Sequence, residues 1–203
     1  MKGAANTRSL AHERLRAATH DVHMRLHRQP SFALLAKGTI DRGSYRSLLC
    51  RLYGFHAPLE LALVQASNSL GLDVEMARRR RVHLLRDDLT ALRMSEAEIT
   101  ALPGITGLAP LNTRDKLMGA LYVREGSTLG GRVLARQLDR LLGSNSLHGR
   151  LFLAGDPGEP QLWQRCCSLL EEVAATGNLD ETIQAAIATF SALETWLEED
   201  QCR

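Results

Sequence analysis

The sequence has little net charge, few cysteines and no long apolar run, and each shortage argues against a class of protein. Lys and Arg total 25 against 23 Asp and Glu, so a net charge of +2 does not provide the concentrated basic surface of a nucleic-acid binder. The four cysteines form neither a C-x-x-C pair nor a spaced framework, which argues against a cysteine zinc site and fits reduced thiols. Because the sequence shows no signal-peptide core and no run of about 18 apolar residues, we expect a cytoplasmic protein with no membrane association.

Strand-like alternation is also missing, and apolar residues recur every three or four positions instead, which predicts an all-α fold. We expect one domain over residues 1–203, with residues 1–8 disordered. The pattern predicts helices over roughly 7–27, 41–69, 74–92, 113–142, 161–175 and 179–199. A capping box at Ser95 and Glu98 predicts one further short helix. The run Arg78 to Arg81 is interpreted as a solvated helix face, with a docking patch for an acidic redox protein as the alternative.

The first predicted helix carries histidines along the border of its apolar stripe. That stripe consists of Leu15, Val22 and Leu26. His23 lies just beyond its edge, and His20 and His27, three residues before and four after, share that side of the helix. Such a histidine is most often packed or exposed without further role, but converging histidines can bind a metal and a single fixed imidazole can hold haem iron. A di-iron bundle site would need Glu three residues before His, and no histidine of the sequence has one.

The long predicted helix over 113–142 contains glycines where each costs up to about 1 kcal/mol relative to alanine. Gly119, Gly126 and Gly130 fall on one side of this helix and leave a stripe of bare backbone. Such a stripe permits close approach either of another helix or of a flat ligand. A border histidine on one helix and a glycine-lined helix elsewhere could form the two walls of a slot for a planar metal macrocycle.

Two segments resemble the haem oxygenase family, in particular its bacterial branch, which includes enzymes that supply biliverdin to bacterial phytochromes. Residues 15–23, reading LRAATHDVH, resemble the proximal helix of the family. Residues 122–132, reading YVREGSTLGGR, resemble its distal helix, and this second match is the more specific. Weaker similarities at residues 53–60 and 188–190 extend the resemblance over most of the chain.

The resemblance implies a haem site built from these two helices. The residues expected to contact haem are Arg16, Thr19, His23, Tyr122, Gly126 and Gly130. His23 would be the axial ligand of the haem iron, and Arg16, two turns earlier on the same face, would lie near a propionate. Gly126, Ser127 and Gly130 would form the catalytic distal side.

The implied reaction is oxidative cleavage of haem, which is both substrate and cofactor, to biliverdin, carbon monoxide and ferrous iron. It requires O2 and electrons from an external donor such as a ferredoxin, a flavodoxin or a reductase, and a bacterial phytochrome is a candidate acceptor of the biliverdin. The alternatives are a haem-binding protein that sequesters haem without degrading it, a fold-related enzyme of thiamin or quinone-cofactor metabolism, and a purely structural interaction bundle.

The sequence departs from the family at three points. Ser127 stands where the mammalian-type enzymes carry a distal aspartate, so the proton relay would be arranged differently. His27 replaces an acidic residue often found one turn after the proximal histidine, which leaves His20 and His27 open as substitute ligands. Arg150 is the only candidate for a propionate contact from the region that follows the long helix.

Overall fold

The computed structural model describes residues 10–144, 146–155 and 159–199, and these residues form helices and loops without a strand. The helices of this part of the chain are α1 Leu10–Arg28, α2 Pro30–Ala36, α3 Arg42–Leu70, α4 Met76–Arg79, α5 Val82–Ala91, α6 Glu96–Thr100, α7 Arg114–Arg136, α8 Asp139–Leu142, α9 Leu151–Ala154, α10 Glu159–Thr176 and α11 Leu179–Glu198. The all-α prediction is confirmed. The expected disorder of residues 1–8 and the start of the first helix near residue 7 fall outside the described residues.

Helix α7 is the centre of the fold. Helices α10 and α11 pack along it, α3 and α9 contact it further on, and α1 lies on α10 and α11. Two apolar cores result. One joins α1, α7, α10 and α11 with the second half of α3, and the other joins α2, α5, α6 and α9 with the first half of α3 and the end of α7. Both cores fix α7, which carries the glycine stripe.

Helix α3 runs through Pro58 without ending, because a loop replaces the hydrogen bond that proline cannot donate. The carbonyl of Gly54 would ordinarily accept from residue 58, and here it accepts from the backbone N–H of Ile105 at 2.9 Å. Gly54 also permits the loop to come close, since a Cβ there would lie under 3.0 Å from the carbonyl oxygen of Pro103. The loop at residues 103–105 is thereby attached to α3.

The prediction of a single helix over 74–92 is wrong. The backbone is extended at Arg80, and this break separates α4 from α5. Arg79 and Arg81 explain the break. The Arg79 side chain is fully buried, pairs with Glu125 at 2.6 Å and donates to the carbonyl oxygens of Val74 and Leu162. The solvated-face interpretation is therefore corrected for Arg79 and Arg81, which are both buried, while Arg78 and Arg80 are exposed.

The helix predicted over 113–142 is also divided, into α7 and α8, and the guanidinium of Arg150 lies at the division. Arg150 donates to the carbonyl oxygen of Ala135 at 2.8 Å and to that of Gly143 at 2.7 Å, and pairs with Asp139 at 2.5 Å. The backbone N–H of Leu138 also bonds to Ala135, so the last turn of α7 closes tightly and α8 starts separately. The structure thus places Arg150 at the junction of α7 and α8, where both of its terminal nitrogens bind residues of these two helices and of the turn after them.

Two short helices were not predicted. Helix α2 begins at Pro30, two residues after α1 ends, and in this first turn the missing N–H of proline is harmless. Helix α9 begins where the carboxylate of Asp88 accepts from the backbone N–H groups of Leu151 and Phe152 at 2.7 and 2.9 Å. The capping box at Ser95 and Glu98 is confirmed at the start of α6.

Candidate functional site

Three aromatic rings from three helices meet where α1 comes near α7. The Tyr122 ring of α7 lies 5.9 Å from the His12 ring of α1 and 5.5 Å from the Trp163 ring of α10, measured between centroids. The His12 and Trp163 rings are 5.7 Å apart and meet edge to face. Such contacts fix the relative position of the rings. This ring cluster joins the proximal and distal helices at one end of the candidate site.

Tyr122 also connects the predicted haem contacts on α1 with those on α7. Burial raises the pKa of its hydroxyl, and a hydrogen bond with the Thr19 side chain and the charge of Arg16 act in the opposite direction. Thr19 is itself buried and donates to the carbonyl oxygen of Leu15 at 2.8 Å. The structure therefore brings three of the predicted residues, Arg16, Thr19 and Tyr122, into one neighbourhood.

One turn beyond Thr19, the His23 side chain is exposed on one side and packed on the other. Its ring lies 5.9 Å from the Phe190 ring of α11, with the planes inclined by 73°. Its Nε2 atom lies 3.3 Å from Nε2 of His27. Partial burial lowers the pKa of His23, and the neighbouring His27 and His20 lower it further. The imidazole is thus held in place and kept neutral near pH 7, as metal coordination requires.

The glycines of α7 serve two purposes, which sequence spacing could not separate. A Cβ on Gly119 would lie under 3.0 Å from backbone atoms of α11, and one on Gly131 would lie 2.9 Å from the carbonyl oxygen of Leu153. These two glycines therefore permit helix packing. A Cβ on Gly126 would make only ordinary contact with the Trp163 ring at 3.6 Å, and one on Gly130 would meet nothing within 4 Å. Gly130 therefore leaves the backbone of α7 accessible, whereas Gly126 lies against the Trp163 ring.

Ser127, between these two glycines in sequence, lies at a polar recess. The recess has a volume of about 230 Å³, including the space at its mouth, and its lining consists of His56, Glu60, Arg81, Val82, Arg124, Ser127 and Phe152. The Ser127 hydroxyl donates to the carbonyl oxygen of Arg124 at 2.7 Å. A recess with this many polar groups is suited to ordered water.

The charges around this recess are fixed by hydrogen bonds and burial. One Glu60 carboxylate oxygen accepts from the backbone N–H of Arg81 at 2.8 Å and lies 3.6 Å from the Arg124 guanidinium. Burial lowers the pKa of His56 to about 3, and the charges of Arg124 and Arg81 act in the same direction. His56 is therefore neutral at physiological pH and can both donate and accept a proton in a hydrogen bond.

Exposed apolar side chains adjoin both His23 and Gly130 in the sequence. Large apolar side chains are exposed beside His23 and beside Gly130: Met24 by 38%, Leu129 by 43% and Val133 by 61%. Exposed apolar groups next to bare backbone, with a few polar groups at fixed positions, are typical of ligand sites. Together, fold and site define an all-α protein with an exposed imidazole on α1 and bare glycine backbone on α7, groups whose chemistry suits haem.

Comparison with known proteins identifies the family. The family model described as Heme oxygenase matches residues 9–199. The chain is 32% identical over 168 residues to the heme oxygenase of Xanthomonas campestris pv. campestris strain 8004, with 80% of this chain and 94% of that protein covered. The chain belongs to the haem oxygenase family.

Two solved structures share the fold. The NO- and CO-bound heme oxygenase from Neisseria meningitidis matches with a TM-score of 0.71 and 24% identity, over 93% of this chain and 90% of that one. Heme oxygenase-1 from the cyanobacterium Synechocystis sp. PCC6803, in complex with heme, matches with a TM-score of 0.68 and 16% identity, over 93% and 91%. At these identities the likeness concerns the architecture alone. None of the described helices combines the length and hydropathy needed to cross a bilayer.

Three residues of the site were not predicted from the sequence. Trp163 faces Gly126, Phe190 packs on the His23 ring and His56 lines the recess near Ser127. Phe190 and His56 belong to segments that were noted for their similarity to the family, so a closer alignment could have selected them. Trp163 carries no such signal, because its role depends on the packing of α10 against α7.

Proposed function

We propose that the chain binds haem between α1 and α7 and cleaves it to biliverdin, carbon monoxide and ferrous iron. Its family identifies it as a haem-degrading enzyme with haem as substrate and cofactor. One observation carries the assignment of the site. The exposed His23 imidazole of α1 packs on Phe190, Gly130 leaves bare backbone on α7, and the His12 and Tyr122 rings join the two helices.

On the proximal side, the residues of α1 bind and orient. His23 would hold the haem iron through Nε2, and the Phe190 ring packs on the imidazole and restricts its rotation. Arg16 is exposed and near Tyr122, so its guanidinium can pair with a propionate in a bidentate way. Thr19 and Tyr122, joined by their hydrogen bond, would define the edge of the site.

On the distal side, Gly130 leaves room for a flat ligand close to the backbone of α7, and Gly126, the other proposed distal glycine, is faced by the Trp163 ring. Bound haem supplies the iron at which O2 reacts and the carbon that is oxidised. The Ser127 hydroxyl, which lies at the mouth of the recess, can pass a proton on, and Glu60 with neutral His56 can hold and reorient water behind it. In this arrangement the recess replaces the single distal aspartate of the mammalian-type enzymes.

The proposal extends to partners and location. Cleavage consumes electrons, which an external donor such as a ferredoxin, a flavodoxin or a reductase would supply. A bacterial phytochrome remains the candidate acceptor of biliverdin, and a cytoplasmic location fits reduced cysteines. These expectations derive from the family resemblance.

A haem titration followed by turnover tests the proposal. Haemin is added to the purified chain, and the Soret band is followed to saturation; a reductant under O2 is then supplied. We expect one haem per chain and the gradual appearance of a biliverdin spectrum. Absence of stoichiometric binding would contradict the haem site, and a stable ferrous complex without biliverdin would identify a sequestering protein instead.

A further inference from the structure

The pair His23 and His27 has a geometry that the haem site does not require. The two Nε2 atoms lie 3.3 Å apart on successive turns of α1. Their ring centroids are 4.5 Å apart, with planes inclined by 78°. This is a hydrogen bond between the two rings, in which the Nε2–H of one imidazole faces the Nε2 of the other. The two nitrogens that could bind an ion are therefore already adjacent.

We propose that the haem-free chain binds one borderline divalent cation of the zinc type at His23 and His27. Imidazole nitrogens bind Zn²⁺ at about 2.0–2.1 Å, and at tetrahedral angles two such ligands are separated by about 3.3–3.4 Å. The observed separation of 3.3 Å matches this spacing, so an ion that takes the place of the shared proton requires only rotation of the two exposed rings. Both side chains are exposed, so the ion can reach them and water can complete its coordination.

The surroundings permit a cation at this position. Arg25, the nearest basic residue in sequence between the two histidines, is paired with Glu194 through bonds of 2.7 and 2.9 Å. Its charge is thereby compensated. Within the described residues no set of three or more His, Cys, Asp or Glu side chains is placed to hold a metal ion, so the site has two protein ligands and micromolar or weaker affinity is expected.

The cation site goes beyond the proposed function, but its competition with haem rests on that function. If His23 Nε2 is the axial ligand of haem iron, the same atom cannot bind both metals. Free zinc would then oppose haem loading, and haem would displace zinc. His27 is specific to the cation site, because the haem needs only one of the two imidazoles.

The test uses full-length, tag-free and haem-free protein with Zn²⁺ as the probe and Mg²⁺, which prefers oxygen ligands, as the control ion. Zn²⁺ binding is measured by competition with a chromophoric chelator and by the shifts of the imidazole ¹⁵N signals. We expect one Zn²⁺ per chain, with changes at His23 and His27. His27→Ala should weaken binding by at least about tenfold, because one of two protein ligands is lost. His20→Ala, on the same exposed side of α1, should not.

Equal Zn²⁺ affinity of the wild type and His27→Ala would overturn the proposal. A haem titration with and without Zn²⁺ separates it from the proposed function. Competition in the wild type but not in His27→Ala supports both. Zn²⁺ binding that needs His27 in a chain that binds no haem would leave the cation site standing and contradict the haem site. Simultaneous binding of Zn²⁺ and haem would overturn the participation of His23.

Discussion

At the scale of single residues, the environment of an imidazole decides what it can do. His23 is packed on Phe190, and burial together with its two histidine neighbours lowers its pKa. His56 is enclosed among aromatic rings and arginines, which keep it neutral. The first histidine can therefore serve as a ligand and the second as a hydrogen-bonding group, although both are ordinary histidines in the sequence.

His23→Ala tests the proximal ligand. We expect the wild-type haem complex to give a six-coordinate low-spin spectrum at alkaline pH and the variant to lose it, because the nitrogen that holds the iron is gone. Added imidazole should partly restore turnover. The absorption spectrum of the haem complex from pH 7 to 10 is the measurement, with His20→Ala as the control. Survival of the low-spin spectrum in His23→Ala would transfer the ligand to His20 or His27.

His56 predicts a dependence of stability on pH. Its pKa in the fold is about 3, well below the ordinary value of 6.5. Between these two pH values His56 is protonated in the unfolded chain and neutral in the folded chain. Above pH 6.5 the neutral His56 does not lower the free energy of unfolding. As the pH falls from 6.5 towards 3, protonation of His56 in the unfolded chain lowers that free energy progressively. The expected slope approaches about 1.4 kcal/mol per pH unit below pH 6.

Urea unfolding between pH 7 and 5 measures this slope. His56→Gln, which cannot be protonated, should reduce the loss of stability over that range, whereas His83→Gln, at an exposed position, should leave it as in the wild type. Identical slopes in all three proteins would show that His56 is not kept neutral by the fold.

At the scale of elements, α7 combines helix packing and ligand access in one glycine pattern. Gly119 faces α11 and Gly131 faces α9, while Gly130 faces no neighbouring atom. The same residue type thus has opposite consequences along a single helix. The fold excludes a side chain at Gly119 and Gly131, because backbone of another helix lies close to them. It tolerates a side chain at Gly130, where only a bound ligand would come close.

Gly119→Ala should therefore lower the free energy of unfolding, whereas Gly130→Ala should leave it unchanged or raise it. The Cβ of the first would overlap the backbone of α11, and overpacking of this kind costs about 1–3 kcal/mol. The second adds helix propensity, so the stability of the haem-free chain should stay level or rise by up to about 1 kcal/mol. Haem affinity should fall in Gly130→Ala. Urea unfolding and haem titration measure the two effects, and a destabilised Gly130→Ala would contradict an open face.

At the scale of the whole molecule, one buried ion pair connects three helices. Arg79 of α4 pairs with Glu125 of α7 at 2.6 Å and donates to Leu162 of α10 at 3.1 Å, with both charged side chains almost fully buried. Arg124 pairs with Glu125 as well and extends the connection to Glu60 of α3. The pair fixes α7 immediately before Gly126.

Removal of one partner should be costly, because the other charge stays buried. Glu125→Gln keeps the shape of the side chain and is expected to destabilise the chain by about 3–5 kcal/mol. Arg14→Gln removes an exposed pair with Asp180 and should cause no measurable change, which makes it the matched control. Denaturant unfolding of both variants is the measurement. Equal stability of Glu125→Gln and the wild type would mean that water compensates Arg79.

The sequence by itself determined the helical class, the periodic faces of the long helices, and the two segments whose resemblance led to the haem oxygenase family. These features are local, since they follow from spacing along one helix and from short motifs. Three features became clear from the tertiary structure alone. Arg79 and Arg81 are buried, and the helices predicted over 74–92 and 113–142 break near Arg80 and Gln137. The structure also shows which glycines of α7 face a neighbouring helix. These features depend on contacts between residues that are far apart in the sequence, and the spacing of residues within one helix does not predict such contacts.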